Sequence, residues 1–300
     1  MADCIRRAWL TLGDRTLPLE DDTAGYVCTE LDLGYPEVRE VVNNRPDQDG
    51  VDDRTRLAGS RAITADIRAS GGTMTVDEIG AAFGPYMIPN ARPQLHYVLE
   101  RPGAPERFAT VRAVDYSWAI SGKRLREIHL AWVAAYPYVS GAKLNTVVAM
   151  AGASVTPGRV YPLTFNRIYP PGGGAPSTGE IRSDGDVVVR PLLRIYGPAT
   201  NPVVTLQPTT GADPSGPPAR IVFVAGFIIG SGEWIDVDTN AKTAFLNGDP
   251  TQSVMAQVDW GGSVWPVLPT LPYYTWLSMT GDSTSATTQV QAIWYDGYLS

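Results

Sequence analysis

The sequence predicts a mainly β protein in two modules. Residues 1–145 read as a β-rich N-terminal domain with one short helix, and residues 146–300 as a C-terminal antiparallel β-sandwich. Three observations predict this. The chain carries 30 Gly, 25 Pro, 14 Tyr and 8 Trp in 300 residues, a composition suited to many short strands joined by turns. One stretch alone shows a full set of helix signals. Charge density also falls near residue 145, with 17 basic and 20 acidic side chains before it and 7 and 11 after; such a step marks a domain boundary.

In the first module, "NNRPDQDGVDDRTR" (43–56) is too hydrophilic for a core and reads as a long exposed loop. "SRAITADIRAS" (60–70) alternates as a strand does, with Ile63, Ala65 and Ile67 on one face. "TVDEIGAAFGP" (75–85) is the helix. Thr75 can cap it, Asp77 and Glu78 suit its first turn, and Gly84-Pro85 stops it. Strands are expected over 94–100, 107–120 and 123–138, the last with Ile128, Leu130 and Trp132 on one face and Pro137 near its end.

"YPPGGGAPSTGE" (169–180) reads as a flexible loop or linker. Eight strands follow, expected over 187–196, 203–207, 220–229, 233–238, 242–247, 254–260, 273–279 and 287–295. Short strands with turn clusters between them and no helical pattern describe a sandwich.

Composition narrows the function classes. The net charge is −7 and no run of Lys or Arg occurs, which disfavours a nucleic-acid-binding surface and any sequence-specific nucleic-acid partner. Arg outnumbers Lys 21 to 3, a hint of a GC-rich genome that carries no chemistry. The longest apolar run, 221–230, is far short of the ~20 residues a membrane-spanning helix needs. "MADCIRRAWLTLGD" lacks the apolar segment of a secretory signal, so folding in the cytoplasm is expected. Cys4 and Cys28 have no metal or redox spacing and are expected to be two buried thiols.

The stretch "GEWIDVDTNAKTAFLNG" (232–248) contains D-x-D-x-N, the opening of many calcium loops. Counted from Asp236, the sixth position is Ala241 rather than Gly and the twelfth is Asn247 rather than Glu, so the turn and the bidentate ligand of an EF-hand are missing. The competing reading is a β-hairpin. Ile235 and Val237 share one face, Trp234 and Asp236 the other, and "DTNAK" supplies the turn. No metal or cofactor is expected.

Other chemistry finds little support. No P-loop, H-E-x-x-H or dinucleotide fingerprint is present. A Ser-His-Asp triad would have to use His96 or His129; neither lies beside a nucleophile elbow, and both fall in expected strands. Asp236 and Asp238, about 7 Å apart along one strand face, could form an inverting glycosidase pair, but alternation produces such pairs readily; a hydrolase could use Asp236 or Glu233. Trp260, Trp265, Tyr273 and Trp276 could stack sugars or fill the sandwich core.

Taken in order, several stretches resemble the distal tail proteins of long-tailed, non-contractile phages, particularly the minor tail proteins of actinobacteriophages. They are "DGVDDRTRLAGSRAITADIRASGG" (49–72), "AYPYVSG" (135–141), "DGDVVVRPLLRIYGPATNPVVTL" (184–206), the 232–248 hairpin, "VWPVLPTLPYYTWLSMTG" (264–281) and the final "VQAIWYDGYLS". Tyr136 departs from the acidic residue usual before that proline. The resemblance implies a non-enzymatic virion component, assembled in the host cytoplasm and located at the tail tip. It implies a homo-hexameric ring made by the N-terminal modules, with the C-terminal modules as galectin-like sandwiches outside it. The implied partners are the tail tube protein, the tail-tip hub protein, the tape measure and receptor-binding proteins, with the genome passing through the lumen. Asp47, Asp49, Asp52 and Asp53 then become candidates for a lumen or inter-subunit loop, the alternative being a solvated surface loop. A carbohydrate-binding module for cell-wall adsorption is the leading alternative function, and a glycoside hydrolase a further one.

Overall fold

The computed structural model describes residues 5–39, 42–44, 51–53, 57–69, 75–100, 102–121, 124–151, 178–210, 213–214, 217–282, 284–285 and 287–299. The protein is mainly β, built from antiparallel sheets, with one short α-helix among the described residues. By contacts the chain divides into two units. One comprises Met1–Ala142 with Tyr298–Ser300, the other Lys143–Gly297.

The first unit opens with a hairpin, β1 (Ile5–Leu12) and β2 (Arg15–Pro18), followed by β3 (Tyr26–Asp32) and β4 (Pro36–Arg39). A short pair, β5 (Val42–Asn44) and β6 (Val51–Asp53), precedes the long β7 (Leu57–Ala69). Next come α1 (Val76–Phe83), β8 (Gln94–Leu99), β9 (Arg107–Thr110), β10 (Arg112–Ser121), β11 (Arg124–Ala134) and β12 (Val139–Met150). One sheet runs β2-β1-β8-β9, and Ser140 and Gly141 of β12 pair with β9. The other runs β10-β11-β7-β3, with β4 also on β7.

Alternation makes these sheets pack. Leu10 and Leu95 from the first sheet, Ile63, Ile67, Ile128, Leu130 and Trp132 from the second, and Ile79 and Phe83 of α1 are buried in one core. The faces expected at 63/65/67 and 128/130/132 are the buried ones. Each such aliphatic side chain contributes about 1.5–3 kcal/mol by leaving water. The helix starts where its capping signals lie: Thr75 Oγ1 accepts from Glu78 N, and Glu78 Oε2 accepts from Thr75 N at 2.7 Å. Gly80 lets β10 approach α1, since a Cβ there would meet the Trp118 ring at 2.2 Å.

The expected strand 107–120 is in fact two strands in two different sheets. Val111 separates them; it is buried, and its N–H donates to Pro93 O. The expected loop 43–56 contains the β5–β6 pair. Strands β1, β2, β3 and β12 were not expected at all, and the residue-145 boundary falls inside β12.

The second unit contains β13 (Thr178–Ile181), β14 (Leu192–Tyr196), β15 (Ala199–Thr210), β16 (Asp213–Pro214), β17 (Ala219–Val222) and β18 (Ile228–Ile229). It continues with β19 (Trp234–Asp238), β20 (Thr243–Leu246), β21 (Tyr274–Asp282) and β22 (Gln289–Tyr298). One sheet has the order β13-β21-β15, with β16, β17 and β18 also on β15; the other has β22-β14-β19-β20. Their inward residues, among them Leu193, Ile195, Val204, Leu206, Ile235, Val237, Leu277 and Val290, form one core, as a sandwich requires.

Three expectations in this unit are corrected. The strand expected over 220–229 is split, with Gly226 at φ +88° between its two pieces, a conformation that suits glycine. The strand expected over 254–260 is a 3₁₀ turn at Met255–Gln257, followed by a single bridge from Val258 to Phe223. The end of the expected linker 169–180 lies in β13, and 169–177 lies outside the described residues.

Candidate functional site

The D-x-D-x-N stretch is the β19–β20 hairpin, in register Ile235↔Leu246 to Asp238↔Thr243. Ile235 and Val237 are buried. Asp238 Oδ1 accepts from Asn240 N (2.8 Å) and Ala241 N (2.9 Å), so this carboxylate braces the turn. Lys242, at φ +54°, completes the reversal. Asp236 is held from the neighbouring strand: Arg194 donates Nε–H to Oδ1 at 2.6 Å and Nη2–H to Oδ2 at 2.9 Å. That bidentate pair pushes the Arg194 pKa up, first through the hydrogen bond to Asp236. Glu233 Oε2 accepts from Gly230 N at 2.7 Å. The three carboxylates considered for hydrolysis each serve a local structural bond. Arg194 was missed in the sequence because the β14–β19 register sets its partner, and register between distant strands is not readable from one chain.

His96 sits on the outward face of its sheet in a row across three strands. Its ring stacks between Trp9 (centroids 5.3 Å, 10°) and Phe108 (5.4 Å, 27°). Nδ1 meets Glu106 Oε1 at 2.9 Å and Nε2 meets Thr11 Oγ1 at 3.1 Å. The hydroxyl, imidazole and carboxylate are linked as in a triad, but Thr11 lies in a strand paired on both sides, with Thr16 and Gln94 opposite it. Its neighbouring amides serve ladders and do not form an oxyanion pocket. His129 Nδ1 meets Asp66 Oδ1 at 2.6 Å, across the β11–β7 ladder.

Of the acidic-loop candidates, Asp47 and Asp49 lie outside the described residues. Asp52 and Asp53 belong to β6, opposite Asn43 and Val42. The four aromatics are distributed unevenly. Trp260 is 57% exposed and Tyr273 43% exposed. Trp265 is half-buried, packs against the second core, and lies 5.8 Å from Trp260 at 49°. Trp276 is half-buried on β21, edge-on to Tyr274. Cys28 is a half-buried free thiol rather than a fully buried one, and Cys4 lies outside the described residues.

Two surface features of the first unit remain. The β10-β11-β7-β3 sheet ends on β10 and on β3, neither of which has a further strand beside it among the described residues. The first unit also has an open cleft between β2 and the end of α1, near Arg15 and Tyr86.

No family model matches the sequence, and no curated protein matches it. Solved structures do resemble the fold. The crystal structure of phage SPP1 Dit (gp 19.1), described as a paradigm of the hub adsorption apparatus in phages infecting Gram-positive bacteria, matches with a TM-score of 0.58 at 13% identity, over 97% of this chain and 99% of that one. A chain of the phage P2 baseplate in its activated conformation with calcium matches with a TM-score of 0.48 at 10% identity, over 96% of this chain and 97% of that one. At such identities the likeness is one of fold.

Proposed function

We propose that this chain is a distal tail protein, a non-catalytic virion component at the tail tip. The observation that carries the proposal is the end-to-end fold likeness to SPP1 Dit, which leaves almost nothing of either chain unmatched. In this reading six copies close into a ring that joins the tail tube to the tip hub, and DNA passes through the lumen. The first module (1–145) makes the ring and the second (146–300) is a galectin-like sandwich. Assembly takes place in the host cytoplasm, and the tape measure and receptor-binding proteins are further neighbours.

The sheet edges support ring closure. Strands β10 and β3 end the path of one five-stranded antiparallel sheet and run in opposite senses. Copies related by rotation keep their strand sense, so β3 of one copy beside β10 of the next continues the antiparallel pattern. Such head-to-tail contacts close a ring and cover edges that otherwise template aggregation. An acidic loop at Asp47–Asp53 facing the lumen would repel a polyanion, the reverse of a counterion-releasing binding site.

Native mass spectrometry of the full chain, alone and with its tail-tube and hub neighbours, is expected to give a six-copy species. A strict monomer under every one of these conditions overturns the ring.

The exposure of Trp260 beside Trp265 favours one second reading, a carbohydrate-binding surface for cell-wall adsorption. Binding on a cell-wall glycan array that disappears in Trp260→Ala supports it, and an array without signal removes it.

A further inference from the structure

The cleft of the first unit has a volume of about 340 Å³. Its floor is apolar, formed by Leu17 of β2 with Ala81, Ala82 and Pro85 from the end of α1. Small side chains at 81 and 82 leave the space open. The rim carries Arg15, Thr16 and Tyr86. Arg15 is exposed, and no carboxylate among the described residues forms an ion pair with it, Asp14 beside it in the chain included. Among the described residues, no acidic one lines the cleft. The Tyr86 ring is buried against the first core, while its hydroxyl finds no hydrogen-bond partner among the described residues. Burial pushes that phenol above its ordinary value, with Arg15 pulling the other way. It therefore remains a donor at neutral pH.

Among the described residues the guanidinium and the phenol O–H have no protein acceptor, and an anion would complete them. Next to an apolar floor they select a carboxylate with an aliphatic neighbour. The volume fits one or two side chains. Pockets that hold free small molecules enclose 70–90% of the ligand, whereas this cleft opens to solvent. The occupant must therefore be carried on a larger surface. We propose that the cleft is a docking site for an acidic side chain of a partner polypeptide, with its carboxylate on Arg15 and Tyr86 and its aliphatic neighbour on the Leu17–Ala82 floor. This assignment stands apart from the tail reading, because neither the ring nor the fold likeness enters it.

The test is a titration of the ¹⁵N-labelled full chain with the peptide Ac-Ala-Leu-Glu-Leu-Ala-amide, followed by amide shifts. Saturable shifts are expected at Arg15, Thr16, Leu17, Ala81 and Ala82. The same peptide with Gln for Glu should bind about tenfold more weakly, and Arg15→Gln should lose a similar factor, as expected for one charge-assisted hydrogen-bonded pair. Ala81→Leu, at an exposed helix position, should fill the cleft and abolish the shifts while leaving the fold intact. The proposal is overturned if no saturable shift appears at millimolar peptide, if the Glu and Gln peptides bind equally, or if acetate alone binds as tightly as the peptide.

Discussion

Single residues in this protein are tuned by burial and by neighbours across strands. Cys28 shows it clearly. It donates its S–H to Glu30 O at 3.3 Å from a half-buried position on β3. Burial is the largest influence on it and pushes the thiol up to about 11, against an ordinary 9.0; the nearby carboxylates of Glu20 and Asp66 push the same way. The thiolate is the reactive form, so at pH 8 the reactive fraction should be about a hundredfold lower than for a free thiol. In a Cys4→Ser background, labelling of Cys28 by a disulfide reagent at pH 8 should be slow when folded and accelerate on unfolding in urea. Equal rates in the two states would contradict the assignment. The sequence places Cys28 in no metal or redox spacing, but its environment comes from β7 and β3 lying side by side, a pairing separated by about forty residues of chain.

At the scale of elements, legibility followed locality. The helix was readable because every signal sits within eleven residues. Thr75, Glu78 and Gly84 act at the positions that helix ends require. The β19–β20 hairpin was readable because its turn chemistry lies inside "DTNAK". The break at Val111 was not, because an apolar residue between two strand-like runs gives no local sign that the chain changes sheets. Strand β1 was missed because "IRRAWLTL" puts two charges beside its apolar positions, and the apolar face becomes evident only when Ala8 and Leu10 meet the core. The Arg15–Tyr86 cleft was invisible for the same reason, since two elements sixty residues apart build it. The capping box gives a prediction. Hydrogen bonds from Thr75, backbone first and then hydroxyl, hold the Glu78 carboxyl below its ordinary value. A depressed folded-state value means the contribution is present above the unfolded carboxylate range and is lost as pH falls through the folded one. Thr75→Ala should therefore speed amide exchange across α1 at pH 7. Its difference from the parent should shrink as pH drops below the ordinary glutamate range, and a difference independent of pH would reject the capping account.

For the molecule as a whole, the first unit is not one continuous stretch, since Tyr298 and Leu299 complete it after the second unit has been traversed. Two arginines hold this return. Arg107 lies over the Tyr298 ring at 4.1 Å, and Arg61 donates from Nη2 to Leu299 O. Arg61 is the unusual member. It shares the core-facing side of β7 with Ile63, Ala65 and Ile67, is fully buried, and its Nε and Nη1 find no acceptor among the described residues. Burial accordingly pulls its pKa down. A buried cation held by one hydrogen bond costs stability unless that bond is kept, whereas an apolar side chain of similar length in its place is often neutral or stabilising. Arg61→Met should thus change the stability of the full chain little or raise it. Tyr298→Ala should lower it by about 1–3 kcal/mol, through lost packing and a loosened partner for the guanidinium. The two changes should be non-additive, with Tyr298→Ala costing less in the Arg61→Met background, because the uncompensated charge is then gone. Urea unfolding of the four proteins measures this. Strict additivity would mean that the return segment and Arg61 are energetically independent, and that the terminal residues complete the first unit by packing alone.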